Sequence, residues 1–287
     1  MLLRYYLFCL LCVFITVGVS LSKKNKETIV SALTALAILH VTVLAFWQGA
    51  LSVGIAIAII LAIGLYELSK YYPINRTLFI VTTLAFFLVS LFSDRQFVEL
   101  AIPAFAMISV VTFKSDRQLI TSNSYLFAFV SCLIVTCSLF LIKLAEIDVG
   151  IIIFLLLLVQ LNDSFGYLFG KQFGKTYLFQ SISPKKSLEG YLFSGIGIIL
   201  GIVLFHTYIP MLSSHPFYQD IILFVYILIF ANLGDLLFSS LKRKLQTKDF
   251  CGCLPGHGGV LDRFDSLLFI APIFYLLVAH HVISFGG

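Results

Sequence analysis

Charge is what this 287-residue sequence has least of: Asp, Glu, Lys and Arg together make up 11% of it. An ordinary soluble domain carries roughly 25%. Hydrophobic residues reach 60%, with 29 Phe and 13 Tyr, and the mean hydropathy is +1.04. A water-soluble fold of this length could not cover that much apolar surface, which excludes that class and makes lipid the solvent for most side chains. The sequence also lacks an internal repeat, a low-complexity stretch, a linker and room for a separate soluble domain. No Ser-His-Asp or Cys-His arrangement for nucleophilic catalysis is apparent. Among the six cysteines, Cys9, Cys12, Cys132 and Cys137 lie inside apolar runs and read as small apolar residues. Cys251 and Cys253 form a C-x-C beside His257, but no second pair completes a tetrahedral zinc site, and no disulfide framework is indicated.

What the chain does have is a succession of apolar runs of membrane thickness. They fall near 4–21, 28–47, 50–69, 77–93, 97–113, 124–142, 149–169, 189–209, 220–240 and 266–284. Backbone polar groups in lipid must satisfy one another within the segment, so each run is expected to be a helix. The expected fold is all-α: a polytopic integral membrane protein of about ten transmembrane helices. Residues 1–145 would supply about six N-terminal helices, and 146–287 the catalytic transmembrane region. Sixteen of the nineteen Lys and Arg residues fall in the loops after odd-numbered spans, leaving only Arg4, Arg95 and Lys143 on the other side. The positive-inside rule makes the side with sixteen cytoplasmic. No A-x-A-like cleavage site stands near Ser20, so the first run is expected to be a retained helix rather than a signal peptide.

Most of the fourteen acids are expected at loop edges, where water solvates them. Asp163 and Asp235 instead lie within apolar runs. A carboxylate at the bilayer centre costs about 2.5–3.5 kcal/mol on insertion scales, which calls for a cationic neighbour. Asn232, Asp235, Ser239 and Lys242 recur at steps of three, four and three, which places them on one helix face. Such a stripe must face protein or a water-filled cavity; a plain interhelical polar contact is the simpler alternative. In the following loop, four glycines and a proline lie within 252–259. Such a backbone suits close approach to phosphate. Around it stand Lys242, Arg243, Lys248, His257 and Arg263, with Asp249, Asp262 and Asp265. Cations neutralise phosphate, and carboxylates hold the Mg2+ that accompanies a nucleoside triphosphate. Upstream, Asn162-Asp163-Ser164 leads through Gly170-Lys171 to Ile182-Ser183-Pro184-Lys185-Lys186-Ser187-Leu188-Glu189-Gly190, offering two cations and hydroxyls just before a helix.

The stretch from Ser239 through Lys248-Asp249 and Pro255-Gly256-His257-Gly258-Gly259 to Asp262-Arg263-Phe264-Asp265 resembles the signature of the phosphatidate cytidylyltransferases, or CDP-diacylglycerol synthases. The Ser-Pro-Lys-Lys-Ser segment is similar to that family's second hallmark. Two positions depart from the pattern: Phe238 stands where the family usually has Glu, and Cys251 where it usually has a small residue. The resemblance implies that CTP and phosphatidate give CDP-diacylglycerol and pyrophosphate, with Asp235 and Asp262 coordinating Mg2+ and room for a second cation in the same site. The catalytic set would be Asp235, Asp262, Lys242, Arg243, Lys248, His257 and Arg263. Asp163, Ser183, Lys185, Lys186, Ser239, Asp249, Gly258, Gly259 and Asp265 would contact substrate. The partners implied are CTP, phosphatidate and the bilayer, with no nucleic acid and a homodimer admitted. The short N-terminus and the resemblance together point to a bacterial cytoplasmic membrane with the site facing the cytoplasm. The competing expectations are a nucleotidyltransferase for another lipid phosphate, a transporter whose buried carboxylates line an ion path, and an inactive relative kept as a scaffold.

Overall fold

The computed structural model describes residues 49–72, 76–91, 122–177, 179–184, 186–208, 216–254 and 258–285. The expected spans 4–21, 28–47 and 97–113 lie outside the described residues, as do Lys185 and His257. Seven helices follow one another: α1 Ala50–Ser69, α2 Arg76–Leu91, α3 Ser122–Ile147, α4 Val149–Phe173, α5 Leu188–Tyr208, α6 Phe217–Lys244 and α7 Leu261–Ala279. Among the described residues there is no strand, only isolated bridges pairing Tyr177 with Ser187 and Leu254 with Gly258. Among the described residues five helical stretches are long and apolar enough to cross a membrane: Ala50–Ser69, Leu126–Ile147, Val149–Phe173, Leu188–His206 and Phe217–Lys244.

Helix α7 forms the middle of the bundle, packed on by α1, α3, α4 and α6. Its Ile270, Ala271 and Phe274 are fully buried. Outward-facing residues recur at helical spacing, with Leu51, Ile55 and Ile59 on α1 and Leu192, Ile196, Ile199 and Val203 on α5. Large apolar side chains pointing away from the protein are what a lipid-facing surface requires. Between α4 and α5 the backbones touch through glycine. A Cβ on Gly190 would lie 2.8 Å from the Gly166 carbonyl oxygen and 3.1 Å from the Gly170 Cα. Small residues four apart permit this approach in membranes, where close van der Waals packing replaces the hydrophobic drive between helices.

The ends of the helices position the polar chemistry. Asp148 alone separates α3 from α4 and caps the latter by accepting from the Gly150 N–H. At that end His206 meets both carboxylate oxygens of Asp220 at 3.0 Å, joining α5 to α6. The opposite end gathers the segment after α1, the α4–α5 loop and the α6–α7 loop. There the Tyr71 hydroxyl donates to the Phe250 carbonyl at 3.1 Å and the Arg243 Nε to the Ile182 carbonyl at 3.1 Å. Three of the lysine-rich and arginine-rich segments thus share one end of the bundle, as their charge pattern requires.

Helix α7 starts at Leu261 rather than near 266, which puts Asp262 and Asp265 inside a helix and not in the preceding loop. A carboxylate in the first turn favours the helix N-terminus, and these polar residues have partners from other elements that replace water.

Candidate active site

The polar stripe on α6 is a real face, and each of its four members has a partner. The Asn232 amide donates to the Leu228 carbonyl at 2.7 Å and to the Asn162 side-chain oxygen of α4 at 3.3 Å. Asp235 pairs with Lys186, which precedes α5, and its other oxygen accepts from the Ser239 hydroxyl at 3.2 Å. Lys242 donates to Asp262 Oδ1 at 2.8 Å and stands 3.9 Å from Asp265 Oδ2. The Asn162 amide donates to Asp163 at 2.9 Å. Asp163 and Asp265 both lie within electrostatic reach of Asp235. Four segments distant in sequence therefore converge, because an ion in an apolar helix is costly unless a counter-ion reaches it.

The two carboxylate–lysine pairs differ in surroundings. The Lys186 and Asp235 side chains are 25% and 26% exposed, open enough to exchange partners. Those of Lys242 and Asp262 are 11% and 3% exposed. Asp262 is also anchored by backbone: its Oδ2 accepts from the Phe250 N–H at 3.0 Å and the Gly259 N–H at 2.8 Å. The glycine cluster thus differs from the exposed phosphate cradle suggested by its composition. Gly258 takes a left-handed φ of 80° and its carbonyl accepts from Leu254, while the Gly259 amide is spent on Asp262.

Phe238 lies 1% exposed and meets Phe250 edge-on at 6.4 Å between ring centroids. Where the family pattern has a carboxylate, this chain has an aromatic strut beneath the loop that feeds Asp262. The Lys242 ammonium stands 5.6 Å from the centre of the same Phe250 ring, close enough for a cation–π contact.

Other expected site residues lie at the rim. Arg243 staples the two loops, donating to the Ile182 carbonyl and, through a second nitrogen, to the Thr247 carbonyl at 3.2 Å. Ser183 sits beside Ile182 in the α4–α5 turn, and its carbonyl accepts from the Lys186 N–H. Lys248, Asp249 and Arg263 are exposed. Glu189 holds the base of the α4–α5 loop by accepting from the Lys175 and Thr176 amides. Cys251 and Cys253, two residues apart, are joined in a disulfide, contrary to the expectation from cysteine spacing. One turn around Gly252 brings their sulfurs together beside Lys70, whose ammonium lies 3.5 Å from the Cys251 sulfur.

The residue that sequence reasoning missed is Glu67. It lies inside the apolar run of α1, close enough to its end to pass for a solvated loop-edge acid, yet it is fully buried. Its two oxygens accept from the Val260 N–H at 2.9 Å and the Leu261 N–H at 3.0 Å. A carboxylate within the 50–69 run was the available signal. Just past this helix, burial pushes the Tyr72 phenol up to about 12, so it adds no charge at neutral pH.

The four aspartates are the type of oxygen donor that a divalent cation takes, although among the described residues the set of three potential ligand atoms within 4.8 Å of one another is Glu67 with Cys251 and Cys253. Asp163, Asp235, Asp262 and Asp265 are grouped with Lys186 and Lys242, with Arg263 acting on Asp163 from nearby. Acidic oxygen donors in excess over the directly paired cations suit a hard ion such as Mg2+.

Curated relatives match a little under half of this chain. A phosphatidate cytidylyltransferase of Aquifex aeolicus is 38% identical over 139 residues, covering 48% of this chain and 51% of the relative. That of Bacillus subtilis is 42% identical over 120 residues, 41% of this chain and 43% of the relative. That of Staphylococcus aureus is 40% identical over 129 residues, 44% and 48%. The chain spans about half the length of the curated relatives it matches. The cytidylyltransferase family model extends much farther, from residue 29 to residue 281, and with the convergent acid–lysine site this places the chain in the cytidylyltransferase family.

Proposed function

We propose that this chain is a membrane-embedded phosphatidate cytidylyltransferase, converting CTP and phosphatidate to CDP-diacylglycerol and pyrophosphate at the cytoplasmic end of a bundle of about ten spans. The observation that carries the reading is the pair of carboxylate–lysine contacts, Asp235 with Lys186 and Asp262 with Lys242, gathered at one end of apolar helices. A reaction between a water-soluble triphosphate and a lipid phosphate needs charged groups at the bilayer edge, where both substrates can reach them. The excess of basic residues in the loops at that end supports a cytoplasmic orientation, and the activity for which the relatives are named supports the choice of substrates.

The lipid phosphate is a monoester whose second pKa lies near 6, by analogy with phosphorylated side chains. It is therefore mostly dianionic at neutral pH and needs no dedicated base. One of its oxygens attacks the α-phosphorus of CTP in line; the new P–O bond forms as the bond to the β-phosphate bridging oxygen breaks, and pyrophosphate leaves. Asp235 and Asp262 would hold Mg2+, which when bound supplies charge neutralisation for the triphosphate and its leaving group. Lys186, with its half-open carboxylate contact, is placed to turn toward a phosphate oxygen. Lys242 keeps Asp262 aligned. Lys248 and Arg263 at the rim meet incoming phosphate, and Arg243 keeps the two loops in register.

The test is purified protein in detergent–phosphatidate micelles with Mg2+ and each of the four ribonucleoside triphosphates, following pyrophosphate and lipid products. CTP-dependent formation of CDP-diacylglycerol that EDTA abolishes is the expected result. No nucleotidyl lipid with any of the four sinks the reading.

A further inference from the structure

We infer that Glu67, in the N-terminal half of the chain, is a positioning residue for the transferase site: it fixes the first turn of α7 so that Asp262 presents its carboxylate in place. The inference rests on the reading of Asp262 as a metal-holding group.

The first amides of a helix have no partner within it. Here three consecutive positions of the α7 entry are divided between two carboxylates. Asp262 takes the Gly259 N–H, and Glu67 takes those of Val260 and Leu261. A helix N-terminus is ordinarily a ready anion site for phosphate. In this chain that capacity is spent on a side chain from a helix nearly two hundred residues earlier. The triphosphate is thereby directed to lysine and arginine rather than to the α7 amides.

The fit around Glu67 is tight. A Cβ on Gly259 would fall 2.6 Å from Glu67 Oε2, so a larger residue there would force this carboxylate to shift. Four residues beyond Glu67, Tyr71 binds the other flank of the loop by donating to the Phe250 carbonyl, and the amide of that same Phe250 donates to Asp262. Glu67 and Tyr71 thus grip both backbone segments whose N–H groups hold Asp262. Groups that orient a metal ligand from behind typically change metal affinity or activity by about 10- to 100-fold when removed.

The experiment compares the full chain with Glu67→Ala and the isosteric Glu67→Gln in detergent micelles. It reads the Mg2+ concentration giving half-maximal CTP-dependent pyrophosphate release, the KM for phosphatidate, and amide exchange over residues 258–262. Glu67→Gln keeps one acceptor and preserves shape, so it tests the idea even if Glu67→Ala does not fold. Expected are a half-saturating Mg2+ concentration raised about 10-fold in Glu67→Gln and about 100-fold in Glu67→Ala, faster exchange at Val260 and Leu261, and a KM for phosphatidate within about twofold of the parent. Faster exchange with parental Mg2+ dependence would reduce Glu67 to a structural cap and overturn the proposal. So would parental exchange and parental Mg2+ dependence together. If the parent itself transfers no nucleotide, the proposed function fails, and the exchange rates, with a Mg2+-induced thermal shift as the second readout, still decide the role of Glu67.

Discussion

The Asp235–Lys186 pair and the Asp262–Lys242 pair are made of the same two side-chain types a short distance apart, yet they are built for different work. The first is a quarter exposed on both sides and has one further partner, the Ser239 hydroxyl. The second is nearly dry, and backbone amides from two loop segments complete the coordination of its carboxylate. An exposed pair is worth about 0–1 kcal/mol and can be traded for a ligand at little cost. A buried one adds little net stability, yet removing one partner strands the other and costs about 3–5 kcal/mol. One pair is thus suited to exchange and the other to hold a shape.

The largest expected effect separates the two carboxylates. Asp235→Asn and Asp262→Asn should each lower CDP-lipid formation by about 1,000-fold or more, on the scale of the several kcal/mol that a metal site supplies. Only Asp262→Asn should also lose about 3–5 kcal/mol of stability, read by thermal unfolding in detergent. Equal stability losses in both variants would erase the distinction.

Phe238 tests the support of the buried pair from below. Phe238→Ala should cost about 3–5 kcal/mol as a large-to-small change at a fully buried site. It should also weaken Mg2+ activation through Phe250, whereas Ser239→Ala, which touches only the open pair, should cost about 0.5–1.5 kcal/mol. The ratio of the two losses sharpens the contrast.

Gly190→Ala probes the frame of the open pair. Its Cβ would meet backbone of α4, so α5 must move away, and about 1–3 kcal/mol is expected with reduced turnover through the displaced Lys186. An unchanged unfolding midpoint would mean that the α4–α5 contact is looser than described.

The smallest effect belongs to the far end. Lys143 pairs with Glu146 at 2.9 Å on the surface, and Lys143→Ala should change stability by less than about 1 kcal/mol and leave the transferase assay unaffected. A large loss of activity would contradict the placement of the site at the opposite end.

Much of this could be seen without coordinates. The α6 stripe of Asn232, Asp235, Ser239 and Lys242 follows from helical spacing, because a single helix places residues three and four apart on one face. The isolation of Asp163 and Asp235 in apolar runs announced that cations had to approach. Which cation would approach which acid was not legible. Desolvation demands a partner but names none, and Lys186 and Lys242 were equally available to either aspartate. What approaches the glycine cluster was not legible for a similar reason: flexible backbone signals close approach, and only packing tells which group approaches. Gly259 is met by Glu67.

The sequence by itself determined the solvent, the helical class, the polar face of α6 and the residues that make the cytidylyltransferase signature, because hydropathy and periodicity act over one or two turns. Tertiary structure alone decided that α7 begins at Leu261 and that Phe238 braces Phe250. It also decided that Lys242 is reserved for a dry Asp262 while Lys186 shares an open Asp235, and that Glu67 closes the α7 N-terminus. Those outcomes depend on contacts across up to 194 residues of chain, where no local period carries the signal and the cost of an unpaired charge or amide in a low-dielectric interior selects the partner.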